Sequence, residues 1–284
     1  MSIRVKRLTG NFAAEINGVN LCEKISERDF SDIKTAFEEY SILVFPNQPL
    51  TDEQQVVFSK RFGDLENTIN SKQQGGAGKP VTVLTNVGKN GEVIAPEDRR
   101  MVFNTGNQMW HTDSSFKPIP AMMSLLSGRE VPSEGGETEF ASMRAAYEDL
   151  DNDQKSELEH LICVHDFAYS RSLIDTSLLD REDKYELPPV RQAMIRKNPT
   201  NQRKNLFLGA HASYIDGWPL EKGRTLIKRL NKHITDCKYI YKHSWKRNDL
   251  VIWDNRCALH RGRPWQRTYR RIMHRTTVVG SMTV

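Results

Sequence analysis

Cysteine is scarce in this chain of 284 residues: the four present (Cys22, Cys163, Cys237, Cys257) lie far apart, with no C-x-x-C pair. That scatter argues against a disulfide framework or a structural zinc site, and points to a reduced, cytoplasmic setting. Long apolar runs are missing too. Nothing approaches the roughly 18 residues a membrane-spanning helix needs, and the basic stretch Met1 to Leu8 has no apolar segment behind it of the kind a secretory signal carries. No internal repeat, linker or break in composition interrupts the chain, so a single domain over 1–284 is expected. Charge of one sign is in small excess, at net +5, and 38% hydrophobic with 27% charged residues describes a folded soluble protein. The Lys and Arg residues are scattered, whereas a nucleic-acid binder clusters them with interleaved aromatics. Neither nucleic acid nor membrane is therefore an expected partner. The exceptions, Arg261 to Arg263 and Arg267 to Arg275, suit a basic pocket for a small anionic organic molecule.

What is present is a pattern of early helices and later strands. Ser26 with Asp29 reads as an N-cap, followed by Phe30, Ile33, Phe37 and Tyr40 at helical spacing. The apolar run Ile42 to Phe45, stopped by Pro46, predicts a strand. Thr51 predicts the start of a second helix and Gly63 its stop. Further strands are expected at Val81 to Thr85, Lys238 to Trp245, Asp249 to Trp253 and Arg271 to Val279. Helices are expected at Ser142 to Leu150, Asp153 to Leu161 and Glu221 to Ile234. Segments 71–100 and 169–205 are poor in apolar residues or rich in charge and are expected as lids. The sum is mostly β with helical insertions around an antiparallel core.

Chemistry is carried by Trp110-His111-Thr112-Asp113 and, far downstream, by Trp253 to His260. H-x-D alone is a common accident, and its bland alternative is a histidine in a turn. On a strand, however, residues two apart share a face, so His111 and Asp113 could grip one ion, with Trp110 and Phe116 as an apolar surround. With a second histidine such a set makes the 2-His-1-carboxylate facial triad, which leaves one side of a metal open. His260 is the strongest candidate, because Arg271 and Arg275 follow it on one face and arginines match carboxylates in bidentate geometry.

These blocks, together with Asn107 to Phe116, Gly135 to Phe140, Leu208 to Ser213 and Trp253 to Gly262, resemble the Fe(II)/2-oxoglutarate-dependent dioxygenases of the taurine dioxygenase and 2,4-dichlorophenoxyacetate dioxygenase superfamily. The resemblance covers nearly the whole chain and is nearer the phenoxyacetate branch. It implies a double-stranded β-helix, or jelly roll. It also implies His111, Asp113 and His260 as iron ligands, Thr138 and Arg271 as holders of 2-oxoglutarate, and Arg275 as a partner of the substrate's anionic end or of the co-substrate. Asn107 and His211 match softer, substrate-side positions, for which a purely structural role stands as the alternative. Thr112 is a departure towards the sulfonate-using relatives, and its side chain is expected to point away from the metal.

The resemblance further implies Fe(II) as cofactor, 2-oxoglutarate and O2 as co-substrates, and succinate and CO2 as products. The primary substrate would be a small organic carboxylate, foremost an aryloxyacetate cleaved to a phenol and glyoxylate, which would place the enzyme in aromatic compound catabolism. The alternatives are the same chemistry on an alkyl sulfonate or another aliphatic or amino-acid-like acid, and a non-oxidative metalloprotein using the same ligands. A homo-oligomer is expected.

Overall fold

The helix expected after Ser26 spans Glu27–Tyr40, and the residues at its borders explain its ends. The Ser26 hydroxyl accepts the Asp29 amide at 3.0 Å, satisfying a first-turn donor. Ser41, at φ 63°, closes the last turn by donating its amide to the Phe37 carbonyl at 2.8 Å. A second helix, Asp52–Lys60, begins with a capping box between Thr51 and Gln54. It stops short of the expected Gly63, because the amides of Arg61 and Phe62 bond three residues back, to Phe58 and Ser59, and tighten the turn. In this computed structural model, which describes residues 3–10, 12–67, 80–179 and 186–281, both helices cover one face of a seven-stranded sheet.

From edge to edge that sheet runs Arg4–Thr9, Ala13–Asn17, Ile42–Phe45, Leu250–Asp254, Ala121–Glu130, Ile272–Val279 and Thr82–Thr85. Its pairs are antiparallel except Ala13–Asn17 with Ile42–Phe45. The unbroken apolar runs, Ile42–Phe45 and the first four residues of Leu250–Asp254, follow from burial on both faces. Leu43, Phe45, Leu250 and Ile252 pack beneath the helices, while Ile42, Val44, Val251 and Trp253 point to the other side. There they meet Phe140 from a three-stranded sheet ordered Ile240–His243, Thr138–Ser142, Ala258–Gly262. Trp253 and Phe140 are fully buried with ring centroids 5.6 Å apart, and burying side chains of this size stabilises by about 2–3 kcal/mol each. The expected balance of a mostly β chain with added helices is what the described residues adopt.

Several boundaries move. The helices expected at Ser142 to Leu150 and Asp153 to Leu161 run Met143–Glu148 and Asn152–Leu158, capped by Ser142 and Asp151. The helix expected from Glu221 begins one residue earlier, as Leu220–Ile234. A 3-10 turn, Cys237–Tyr239, replaces the start of the expected Lys238 to Trp245 strand, because Asp236 caps it by accepting the Lys238 amide.

Both expected lid segments contain regular structure. Of 71–100, residues 71–79 lie outside the described residues, Thr82–Thr85 is the sheet-edge strand already foreseen, and Arg99 opens a short helix, Arg99–Asn104. The stretch 169–205 starts inside the helix Phe167–Ser172, and its residues 180–185 are likewise outside those described. It then forms three strands. Val190–Ala193 pairs with Ile162–His165, which also pairs with Ala212–Ile215, and Ile195–Lys197 pairs with Lys204–Leu206. Charge hid them: Arg191 and Lys197 point outward, whereas Gln192, Met194 and Ile195 are buried. A short strand solvated on one side reads as polar along its sequence.

Candidate metal centre

The strand expected at His111 to Asp113 does not form. His111 instead makes an isolated antiparallel bridge with His260, its amide donating to the His260 carbonyl at 3.0 Å and the His260 amide donating back at 2.7 Å. Asp113 lies in the turn that follows, before Ser114 at φ 56°. The ligands therefore converge through a backbone pairing across the fold, with His260 carried on the Ala258–Gly262 strand. All three side chains are buried, and one ligand atom from each lies within 4.8 Å of the other two. His260 Nε2 sits 3.7 Å from Asp113 Oδ2.

Beneath this triad is a residue that the sequence did not single out. Asn255, fully buried just past the Leu250–Asp254 strand, accepts through Oδ1 from the Asp113 amide at 3.1 Å, from Trp253 Nε1 at 2.9 Å and from the Thr112 hydroxyl at 3.2 Å. Its Nδ2 donates to Ser124 Oγ, and Ser124 donates in turn to Asp113 Oδ2 at 2.7 Å. The Thr112 hydroxyl also donates to the Asn255 carbonyl at 2.6 Å, so Thr112 does turn away from the centre and anchors the loop. The available signal was a polar pair, Asp254 and Asn255, directly after an apolar run, inside the Trp253 to His260 block.

The electrostatics suit a divalent cation. Burial pushes the pKa of both His111 and His260 down, so both imidazoles are neutral donors. His111 Nδ1 lies 2.8 Å from the Met109 carbonyl, an acceptor only, which places the proton on Nδ1 and the free lone pair on Nε2. Burial alone would raise Asp113, but the Arg275 guanidinium, with the Ser124 hydroxyl, outweighs it and holds the carboxyl well below its usual range. Arg275 Nη1 donates to Asp113 Oδ1 at 2.7 Å. Two neutral nitrogens and one anionic oxygen, buried and convergent, are the donor set of the facial triad.

Two cavities meet at this point. The first reaches from His260 and His111 to Thr138, Trp265, Arg267 and Arg271. Arg271 is 9% exposed, with Nη2 on the Gly136 carbonyl at 3.3 Å and Nε without a partner among the described residues. Burial, with Arg267 nearby, lowers its pKa to about 10, which leaves it cationic. Gly136 lies in left-handed space at φ +69°, and a Cβ there would sit 3.3 Å from Arg271 Nε, so glycine lets the loop close on the guanidinium. Thr138 Oγ1 accepts from Trp245 Nε1 at 3.0 Å, which leaves the hydroxyl proton free to donate.

The second cavity shares His111, Asn107 and Arg275 with the first and adds Asp113 and His211. Phe103, Phe116 and Phe167 wall it, together with a buried Arg171 that the sequence reading missed. His211 is 4% exposed, its ring 4.9 Å from Phe116 and 6.4 Å from His111, and burial followed by Arg171 keeps it neutral. Phe116 thus flanks the centre as expected. Trp110 does not: it packs against a separate apolar cluster with Arg261 4.5 Å over its ring. His243 pairs with Asp249 and His274 with Asp52, away from the centre.

Known proteins resemble the chain along its whole length. Residues 4–277 match the model of the taurine catabolism dioxygenase TauD, TfdA family. An alpha-ketoglutarate-dependent 2,4-dichlorophenoxyacetate dioxygenase of Burkholderia sp. (strain RASC) is 39% identical, over 99% of this chain and 95% of the relative. An (S)-phenoxypropionate/alpha-ketoglutarate dioxygenase of Sphingobium herbicidovorans is 34% identical, over 96% and 93% of the two chains. Among solved structures, the crystal structure of AAD-2 in complex with Mn(II) and N-oxalylglycine superposes with a TM-score of 0.92 at 40% identity, covering 100% of this chain and 99% of that one.

Proposed function

The chain belongs to the TauD, TfdA dioxygenase family, and from that premise we propose that it is an Fe(II)- and 2-oxoglutarate-dependent oxygenase of aryloxyacetate-type acids, cleaving the ether to a phenol and glyoxylate. The observation that carries this reading is the meeting of two unlike cavities at one His-Asp-His cluster. One cavity ends in a buried arginine, and the other is walled by aromatic rings.

His111, Asp113 and His260 would hold Fe(II), which when bound supplies the redox centre at which O2 is reduced while 2-oxoglutarate is converted to succinate and CO2. The chain's own residues supply position and dryness. Arg271, cationic and with an unpartnered Nε, is built to pair with the distal carboxylate of the co-substrate, and Thr138 has a hydroxyl proton to add to that grip. Arg275 fixes the orientation of Asp113 and borders both cavities. Phe103, Phe116 and Phe167 take the aryl ring and keep water from the reacting carbon, which strengthens every charge interaction within. Hydroxylation of a carbon that bears an ether oxygen gives a hemiacetal, which collapses to phenol and aldehyde. The aromatic wall favours this substrate class over alkyl sulfonates and aliphatic acids.

The seven- and three-stranded sheets, stacked through Phe140 and Trp253, support reading the fold as a double-stranded β-helix and the chain as one domain. The segments around Arg99–Asn104 and Phe167–Ser172 flank the second cavity and are the candidates for closure over it. No described helix is long and apolar enough to cross a membrane, and a cytoplasmic enzyme accords with the spread of its cysteines.

A panel of aryloxyacetates, alkyl sulfonates and aliphatic acids, incubated aerobically with Fe(II) and 2-oxoglutarate, tests the proposal. Phenol, glyoxylate and succinate are expected in equal amounts from an aryloxyacetate. Succinate formed with sulfonates and with no aryloxyacetate would overturn it.

A further inference from the structure

Among the described residues Arg171 has no partner equal to its charge. Its side chain is 9% exposed and makes no hydrogen bond or ion pair with any described residue, and Nε is buried without an acceptor. Only Arg271, which faces the first cavity, is comparably short of partners among the described residues, and other inward arginines differ. Arg256 is held by Asp254 and Glu38, and Arg196 donates to Gln192. Arg275 already rests on Asp113. Isolating a cation from water costs several kcal/mol unless an anion or good acceptors compensate. Burial lowers the Arg171 pKa only to about 10, so it stays charged at neutral pH and bears that cost.

The surroundings hold this guanidinium in one place. Its Cζ lies 4.6 Å from the Phe103 ring centroid and 4.7 Å from that of Phe167, close enough for cation–π attraction. Beneath it is Gly106, in the turn that also carries Asn107, where a Cβ would come within 1.6 Å of Arg171 Nη1. The glycine therefore vacates the space that the guanidinium fills. Arg171 lines the second cavity beside His211 and Asp113, and its charge is felt at both His111 and His211.

We propose that Arg171, seated on Gly106, receives the carboxylate of the primary substrate and so decides which carbon is presented to the metal centre. This rests on the reading of the chain as an aryloxyacetate oxygenase. In such acids the oxidised carbon is bonded directly to the carboxylate, so whatever grips the carboxylate aims the C–H bond. A planar guanidinium fixes both the position and the plane of that group. Arg271 then serves the co-substrate and Arg275 serves Asp113, which gives each arginine at the centre a separate anion.

The test compares phenoxyacetate with its neutral isostere phenoxyacetamide, as substrate or competitive inhibitor, in the wild type and in Arg171→Met, Arg171→Lys and Gly106→Ala. Loss of a charge-assisted pair predicts a roughly 30-fold rise in KM for the acid in Arg171→Met. The amide should change little, and so should the KM for 2-oxoglutarate. Arg171→Lys should fall between, and Gly106→Ala, which keeps every charge but claims the guanidinium's space, should move the acid alone in the same direction. Gly106→Ala gives the same readout if Arg171→Met does not fold. Equal changes for acid and amide, or an unmoved KM for the acid, overturn the assignment while leaving the reading of the function intact. A wild type that turns over no aryloxyacetate overturns both.

Discussion

Asn255→Ala should damage the metal centre without touching a ligand. The substitution removes an acceptor that serves Trp253 Nε1 at 2.9 Å and the Asp113 amide at 3.1 Å, and a donor to Ser124. Both N–H groups lie in the buried core, and a buried donor left without a partner costs about 1–3 kcal/mol. Two of them give about 2–6 kcal/mol, a large share of the roughly 5–15 kcal/mol that holds a domain folded. At about 2–4 °C per kcal/mol for a chain of this size, the melting temperature should drop by roughly 5–20 °C. The ligand effect is separable. Ser124 loses the group that orients it towards Asp113, and removing such outer support typically costs about 10–100-fold in metal affinity. Urea denaturation of the metal-free protein measures the first quantity and equilibrium titration with Mn(II) the second. Stability unchanged, with Mn(II) affinity within twofold of wild type, would refute the claim that Asn255 organises the triad.

Other outcomes follow from the same geometry. Arg271→Ala should raise the KM for 2-oxoglutarate by roughly 100-fold, from the loss of a buried charge-assisted pair, and leave Mn(II) binding intact; an unchanged KM would remove Arg271 from the co-substrate cavity. His260→Ala should abolish turnover and weaken metal binding, so retained activity would take it out of the triad. His165 is buried against Phe207, and burial, then Arg196, pushes its pKa down to about 3. The unfolded chain therefore binds a proton here below about pH 6.5 that the folded chain refuses, and stability falls as pH drops through the window from 6.5 towards 3. His165→Leu should remove about 2 kcal/mol of the stability lost between pH 6.5 and 5 in urea melts. Parallel pH profiles for the two proteins would mean that His165 titrates normally.

The ligand types were legible because their chemistry is local. His111 and Asp113 sit within three residues, and the arginines after His260 recur at a spacing that survives either a strand or a helical reading. The helix caps at Ser26 and Thr51 were legible for the same reason, since each rests on a bond to a residue three positions on. The strands at 190–197 were not, because their hydrophobic partners lie elsewhere in the chain and their outward residues carry charge.

By itself, then, the sequence determined the donor set, the arginines able to meet carboxylates and a mostly β frame, all properties of residue type and short spacing. Only the tertiary structure decided how they meet. The His111–His260 bridge replaces the expected strand geometry, Asn255 ties Thr112 to Ser124 and Asp113, and Trp110 turns out to face away. Arg171 is the sharpest case. As one charged residue in a polar stretch it reads as surface; Phe167 is its neighbour one helical turn back, but only folding brings Phe103 and Gly106 against it and leaves its charge buried and unanswered among the described residues. Burial and pairing are relations between distant segments, so spacing along one chain cannot encode them.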